Sequence, residues 1–518
     1  LPYPFHHLRG LQKDRFMNKT LLTCLVLTLL WTWPAQAAGL LDQFEKRISK
    51  FTLDNGLTLL VAERERAPVA SFVTFVDVGG VDEPAGHTGI AHFSEHMAFK
   101  GTTSIGTTDW SKEKLLLEKI DQAYAEWLQA EYGDAQSSQS PDTLRQDFER
   151  LRKQAQKYVI PNEFAKIIEQ HGGTNLNAAT SKDYTMYFCS LPANRAELWF
   201  SLESDRLMNP VFREFFTEKQ VVLEERRMRV ESNPIGRMVE TLQSIAFSAH
   251  PYGDPTIGWK SDVITTTRSD MRDFYEEHYV PSQMTMAIAG DVDPKRMKRL
   301  AETYFGPMEP KQATSDFVSR EPQQRGERRF TQVGPNQPVY IEAYHSVSRM
   351  HEDAESLEIL ADILARGRVS RLYKRLVEQE GLATSIQAFD GFPGDKYPGL
   401  FLLYAVPTKD ADLEALIASI HNEIKNIRHN GVTEEELERA RTRLRADVIR
   451  NVQSNLGLAR RLAQAESQMG DWRKVFTILD DYDQVTAVEI QEAAQTYLQP
   501  DNRTAGRMLH RERERRGQ

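Results

Sequence analysis

The stretch HFSEHMAFKG, His92 to Gly101, holds two histidines four residues apart with a glutamate just before the second. These side chains can meet only if the segment is helical. At about 100° per residue, His92, Glu95 and His96 then fall within an arc of about 100° on one face. Two imidazoles at that spacing can bind one metal ion, and the glutamate beside them can hold a water. Zinc suits nitrogen and oxygen ligands, and a catalytic zinc needs three protein ligands plus an open position. The ion lowers the pKa of its water to about 7, and a carboxylate can take the proton. A motif this short also arises by chance, as three polar residues sharing a turn of helix. His87 stands in a Gly-rich approach (Gly86, Gly89) and reads as a loop residue rather than a ligand.

A third ligand is best sought where a carboxylate falls on a buried helical stripe. In TEKQVVLEERRMRVE, Thr217 to Glu231, Val221 is taken as the origin. Val222 then lies at about 100°, Glu218 at about 60° and Glu225 at about 40°. Both glutamates read as lying between two valines, whereas Glu224, at about −60°, stands toward the edge. A buried carboxylate without a partner is costly. A metal ion is one such partner for Glu225 and Glu218; Arg226 and Arg229 are others.

At 518 residues the chain is too long for one ordinary core, which implies two or more domains. A formal charge of −9 gives no basic excess to hold nucleic acid. Met17 opens MNKTLLTCLVLTLLWTWPAQA, with a lysine, an apolar run from Leu21 to Trp33, and the small-x-small site Ala35-Gln36-Ala37. This reads as a secretory signal peptide cut after Ala37, with residues 1–16 as an upstream extension. The run is too short for a membrane anchor. Cys24 makes a poor lipidation site, because most of the apolar run follows it. Cleavage removes Arg9, Lys13, Arg15 and Lys19 against Asp14, a net +3, so the formal −9 becomes −12. It also leaves Cys189 alone, so no intrachain disulfide can form. The expected location is the periplasm.

Phe51 to Ala62, FTLDNGLTLLVA, reads as a β-hairpin about Asn55-Gly56. The β-rich run Val69 to Val78 is expected to pair beside it, and a helix is expected over Gly89 to Phe99. Between Asp109 and Val159, Leu116, Ile120, Tyr124 and Trp127 recur at helical spacing. GDAQSSQSPD then makes a polar turn, and Ser140-Pro141 opens a second helix as cap and first position. The spacing predicts a charged helical hairpin inserted at the surface. Further on, Tyr184 to Leu191 reads as strand, Glu218 to Glu231 as helix and Met284 to Ala289 as a buried strand. The polar, proline-bearing segment 306–330 reads as a linker. Beyond it come a strand (Val339 to Tyr344), helices over Ala354 to Leu364 and Ser370 to Glu380, a strand (Gly399 to Val406), and helices over Ala411 to His429 and Glu434 to Asn451. Both halves mix strands with long helices, an α+β organisation. The first domain is expected over 38–305 and the second over 331–518, ending in a charged tail.

The segments GIAHFSEHMAFKGT, NLNAATSKDYTMYF, FTEKQVVLEERR, HPYGDPTIGW and FYEEHYVPSQMTMAIAGDVD follow one another as in the pitrilysin/insulinase zinc peptidases. The chain most resembles the short members, such as the processing peptidases and their bacterial relatives. Inversion of the usual HExxH order marks that clan. The resemblance implies that His92 and His96 bind one zinc ion per chain and that Glu95 is the general base. It makes Glu225 the third ligand, with Glu218 supporting. His96 and Glu225 are 129 positions apart, a long interval for the family, which the helical hairpin accounts for. It further implies that Asn177 and Ala178 lie on an edge strand that pairs with the substrate backbone. Two homologous α+β domains, each a mostly antiparallel sheet packed with helices, should form half of a clamshell chamber.

Single-chain relatives carry an arginine and a tyrosine, seven apart, in their second half, and these donate to substrate and oxyanion. The aligned positions here are Val377 and Thr384, which cannot donate in that way. Arg371 and Tyr373, in SRLYKRL, read as helix packing. The chain is therefore expected to be the metal-bearing subunit of a two-chain zinc endopeptidase, acting on peptides or unfolded segments. A homologous partner would supply the missing donors, though a homodimer is the other arrangement. The rival reading is a non-catalytic scaffold or peptide-binding subunit, which has no need of intact His92, Glu95, His96 and Glu225. A zinc-storage role lacks any His-rich tract.

Overall fold

The structure, a computed structural model, describes residues 41–42, 44–133, 139–311, 318–334 and 338–510. The expected signal segment, part of the hairpin turn and the charged tail lie outside them. The first sheet comprises β1 (Ile48–Thr52), β2 (Thr58–Glu63), β3 (Val69–Val76), β4 (Thr174–Thr180), β5 (Thr185–Pro192) and β6 (Met284–Gly290), in the order β1-β2-β6-β3-β5-β4. The expected hairpin forms, and the Asn55 amide in its turn donates to the carbonyls of Phe305 and Met308 at 2.8 and 3.2 Å. The expected pairing of β3 with that hairpin does not form. Strand β6 stands between them, parallel to β2 and antiparallel to β3. Every residue of β6 is buried, so it needs cover on both faces and neighbours on both sides.

The second sheet comprises β7 (Arg328–Gly334), β8 (Val339–His345), β9 (Ala383–Phe392), β10 (Leu400–Pro407) and β11 (Arg503–His510), in the order β7-β11-β8-β10-β9. It repeats the first. The β7/β11 pair is parallel like β2/β6, and the other pairs are antiparallel. Strand β1 is the addition. Two halves whose letters do not repeat thus share one topology, giving two α+β domains. Strand β7 starts inside the expected linker, and the chain just before it is pinned. The Glu321 carboxylate accepts the backbone N–H groups of Ser248, Ala249 and His250 at 2.8–3.1 Å.

The helices that matter for the site are α1 (Ile90–Met97), α2 (Trp110–Tyr132), α3 (Pro141–Ala155), α4 (Phe215–Arg226), α5 (Pro234–Ala246), α6 (Ala354–Ala365) and α7 (Asn455–Met469). Helices α1 and α4 cover one face of the first sheet, where Leu59, Val61, Phe72 and Val76 meet Phe93 and Phe215. The rings of Phe93 and Phe215 stack at 4.6 Å. The opposite face, with Leu60, Val73 and Phe75, receives Leu458, Ala459 and Leu462 of α7 from the second half. In exchange, α5 from the first half lays Met238, Leu242 and Ala246 on Val339, Ile341 and Leu402 of the second sheet. Helix α6 packs on that sheet's other face. Each sheet is therefore closed by a helix from the other half.

The hairpin forms as expected, with Asp109 capping α2 and Ser140-Pro141 opening α3. It is anchored by a buried ion pair between Glu113 of α2 and Arg213, at 2.8 Å and almost fully excluded from water. Arg213 also donates to the carbonyls of Lys100, Thr102 and Ile105, so one guanidinium joins the exit of α1 to the entry of α4. Removing one partner of a buried pair leaves an uncompensated charge, which costs about 3–5 kcal/mol. Glu113→Ala should lower unfolding stability by that order in urea denaturation. An unchanged midpoint would show that the pair does not brace the domain.

Candidate metal centre

Helix α1 begins where two segments of chain touch. Gly89, at φ 88°, precedes it, and a Cβ there would stand 2.7 Å from the Gly258 Cα. Only glycine admits that approach. No side chain caps the helix locally. The Glu83 carboxylate does so from a distance, accepting Gly89 N–H at 2.8 Å and Ala91 N–H at 2.9 Å. It thereby satisfies donors that a helix start leaves open.

His92 Nε2 lies 3.6 Å from Glu225 Oε2, and His96 Nε2 lies 3.3 Å from the same oxygen. The ligand atoms of the three residues all fall within 4.8 Å of one another, the one such cluster among the described residues. Ligands of a tetrahedral zinc at about 2.0–2.1 Å stand about 3.3–3.4 Å apart. The donor set therefore fits zinc, and both distances to Glu225 lie close to that separation. His92 Nδ1 is buried without a hydrogen-bond partner. His87 stays outside the cluster, its Nδ1 3.8 Å from Asp270.

The phase expected for α4 needs correction. Val221 is 45 % exposed, and the buried face runs through Phe215, Lys219, Val222 and Arg226. Glu218 and Glu225 flank that face rather than sit within it, which lets them reach α1. Glu224 points to solvent and pairs with Arg227 at 2.6 Å. The two half-buried glutamates divide their oxygens alike. Glu218 offers Oε2 to His96 Nδ1 at 3.4 Å and pairs through Oε1 with Lys100. Glu225 turns Oε2 to the imidazoles and takes Arg229 on Oε1 at 2.7 Å. Pairing with Arg229 through one oxygen thus leaves the other facing the imidazoles. Arg226 pairs elsewhere, with Glu240 at 2.8 Å.

Burial opposes charge on His96, yet hydrogen bonds to Glu218 and Glu225 outweigh it and raise its pKa to about 9. Burial, with the neighbouring His96, pushes His92 the other way. The hydrogen bond from His96 holds Glu225 below the usual carboxylate range. Despite burial, contacts with His96 and Lys100 do the same for Glu218. Two carboxylate oxygens facing two imidazoles thus favour a positive charge in the cluster. A cation held there would compete with a proton on His96.

Glu95 sits beside the ligands, and burial raises its pKa. Its Oε2 accepts the Thr180 hydroxyl at 2.6 Å. Thr180 ends β4, which among the described residues pairs only with β5 and forms the sheet's edge. Asn177 is exposed on that edge, and its Oδ1 accepts Ala178 N–H at 2.8 Å. Val377 lies in a helical turn of the second half, and Thr384 Oγ1 donates to the Val406 carbonyl at 3.1 Å. Arg371 is committed to Glu436 and Glu423. Lys100, Thr180 and Glu83 went unread in the sequence. Lys100 and Thr180 stood within the quoted motifs, but only the folded contacts give them roles.

The description "Insulinase (Peptidase family M16)" matches residues 59–126 and 148–260, and "Peptidase M16 inactive domain" matches 265–444. The chain belongs to the M16 peptidase family. The unmatched 127–147 take in the end of α2 and the start of α3. The chain is 27% identical over 419 residues to the zinc protease PqqE of Helicobacter pylori, covering 79% of this chain and 81% of that one. It is 25% identical over 464 residues to an uncharacterized zinc protease of Mycobacterium leprae, covering 87% and 89%. Among solved structures, a protease from Helicobacter pylori superposes with a TM-score of 0.73 at 23% identity, covering 89% of this chain and 99% of that one. The periplasmic protease PqqL from Escherichia coli gives 0.67 at 18%, covering 90% of this chain and 48% of that one. These likenesses show the two-domain α+β fold, and the names of the relatives support a peptidase of this family.

Glu225→Ala removes one of three converging donors and should lower zinc content on metal analysis. Glu224→Ala should leave zinc content unchanged, and Glu218→Ala should reduce it less, through the orientation of His96. Zinc lost from Glu224→Ala but kept by Glu225→Ala would overturn the ligand assignment.

Proposed function

We propose that this chain is a zinc endopeptidase that hydrolyses peptides or unfolded segments, and that it is the metal-bearing subunit of a two-chain enzyme. One observation carries the reading. Two imidazoles and Glu225 Oε2 converge, Glu95 lies on the same helix, and an open sheet edge ends beside it. His92, His96 and Glu225 would hold the ion, with Glu218 and Arg229 orienting the ligands. When bound, zinc acidifies a water and polarises the scissile carbonyl. A substrate strand adds to β4 at Asn177 and Ala178, where backbone pairing gives affinity without strict sequence choice. Glu95 accepts the proton of the attacking water and passes it to the departing amide nitrogen. The C–N bond breaks and a carboxylate and an amine leave.

The partner enters through what the second half lacks. Val377 and Thr384 stand where relatives place donors, and Arg371 is tied to glutamates. A homologous chain with an Arg/Tyr pair would complete the oxyanion site, in a heterodimer closing like a shell. Zinc-loaded chain should cleave quenched peptides slowly alone and faster by about a hundred- to a thousandfold with that homologue. Glu95→Gln should keep zinc and lose about a hundredfold or more in either sample. Full activity of Glu95→Gln would refute the mechanism. Equal rates with and without the homologue would instead point to a self-sufficient chain or homodimer. A mixture that binds peptide but never cleaves it would favour the scaffold reading.

The export reading rests on the Met17 to Ala37 segment and places the enzyme in the periplasm. Among the described residues no helix is long and apolar enough to cross a membrane. N-terminal sequencing of the exported protein should start near Ala38. Residues 17 to 37 retained on soluble protein would contradict it.

A further inference from the structure

A general base works only when one carboxylate oxygen is aimed at the water. Glu95 carries several rotatable bonds that leave this aim unset. Its immediate neighbours on α1, His92 and His96, are turned toward Glu225. The contact that fixes Glu95 comes from another element, the Thr180 hydroxyl at 2.6 Å from Oε2. An ionised carboxylate only accepts, so Thr180 must donate.

Thr180 is well placed to hold an aim. Its branched side chain has a stiff first torsion. Its backbone pairs with Thr185, whose own hydroxyl donates to the Val78 carbonyl at 2.9 Å. Just beyond it, Ser181 N–H reaches the Tyr184 carbonyl at 2.8 Å, and the Ser181 carbonyl accepts Gly80 N–H at 3.1 Å. Both sides of Thr180 are therefore anchored. Three residues earlier on the same strand lies Asn177.

We infer that Thr180 is a positioning residue for Glu95. Its hydroxyl fixes one carboxylate oxygen and leaves the other for proton transfer, and it fastens the base to the strand that receives substrate. The inference rests on the reading of Glu95 as the base.

Thr180→Val keeps the shape and removes the donor, and Thr180→Ser keeps the donor. Both are tested as full-length, zinc-loaded protein, alone and with the homologous partner. Thr180→Val should lower kcat about tenfold to a hundredfold, with KM and zinc content within about twofold of wild type. Thr180→Ser should recover most of the loss. Unchanged kcat in Thr180→Val, or a defect confined to KM or to zinc content, overturns the inference. A crystal structure of zinc-loaded Thr180→Val supplies a readout that needs no turnover. Glu95 should leave its wild-type position or occupy several. A single, unmoved Glu95 overturns the inference whether or not the wild type hydrolyses peptide. Failure of the base reading looks different, as full activity in Glu95→Gln.

Discussion

Two carboxylates set against two imidazoles are the constraint on which the first domain turns. Glu218 and Glu225 each give one oxygen toward the histidines and the other to a cation, the part-buried Lys100 or the exposed Arg229. That division turns one oxygen of each carboxylate toward the imidazoles and favours a positive charge between them. The same carboxylates raise the pKa of His96 against the effect of its burial. The surrounding fold keeps α1 and α4 at the required separation. Phe93 stacks on Phe215 between them, and Arg213 ties the exit of one to the entry of the other. The hairpin contributes Glu113 to that tie and Tyr124, whose hydroxyl meets the buried Lys219 ammonium at 2.8 Å. A surface insertion is thus wired to the helix that carries both glutamates.

The repeated sheet topology separates chemistry from scaffold. Helix α6 packs on the second sheet against β9, as α1 packs against β4. Its sequence, AESLEILADILA, holds no histidine and is almost wholly buried. The second half therefore repeats the frame without the ligands. Its contribution to the first half is α7, which seals the face of the sheet away from the metal centre. With α5 closing the second sheet in return, neither half has a complete core alone.

The parts of this arrangement readable in the sequence are those with a local period. His92, Glu95 and His96 follow the helical turn, and so do the hairpin helices, the second with its cap at Ser140, whereas the Asp109 cap of the first emerges only in the structure. Glu225 and Glu218 were separated from Glu224 by angle, although the supposed valine stripe was misjudged because Val221 faces solvent. A short helix with a charged Lys219 and Arg226 on its buried face has no clean apolar stripe to fix its phase. Strands β7 and β9 escaped because they lie at sheet edges and alternate exposed with partly buried residues, which leaves a weak apolar signal. The insertion of β6 beside β2 was not legible, since pairing between distant segments leaves no mark in either. Thr180, Lys100 and Glu83 act through contacts across the fold, and residue spacing carries none of that information.

The segment after β4 extends the same logic to the joint between the halves. Asp183, three residues beyond Thr180, takes the Tyr252 hydroxyl on Oδ1 at 2.5 Å. Its Oδ2 accepts the backbone N–H groups of Asp395 and Lys396 in the second half at 2.9 and 3.2 Å. Tyr397 N–H in turn reaches the Tyr252 oxygen at 3.1 Å. Within seven residues, the chain therefore carries the strand edge at Asn177, the hydroxyl on Glu95 and the carboxylate that docks the second half. Each of these contacts fixes the backbone on which the next depends. Asp183 stands in the turn between β4 and β5, and the Thr180–Thr185 pair that closes this turn links the contact between the halves to the end of the strand beside Glu95.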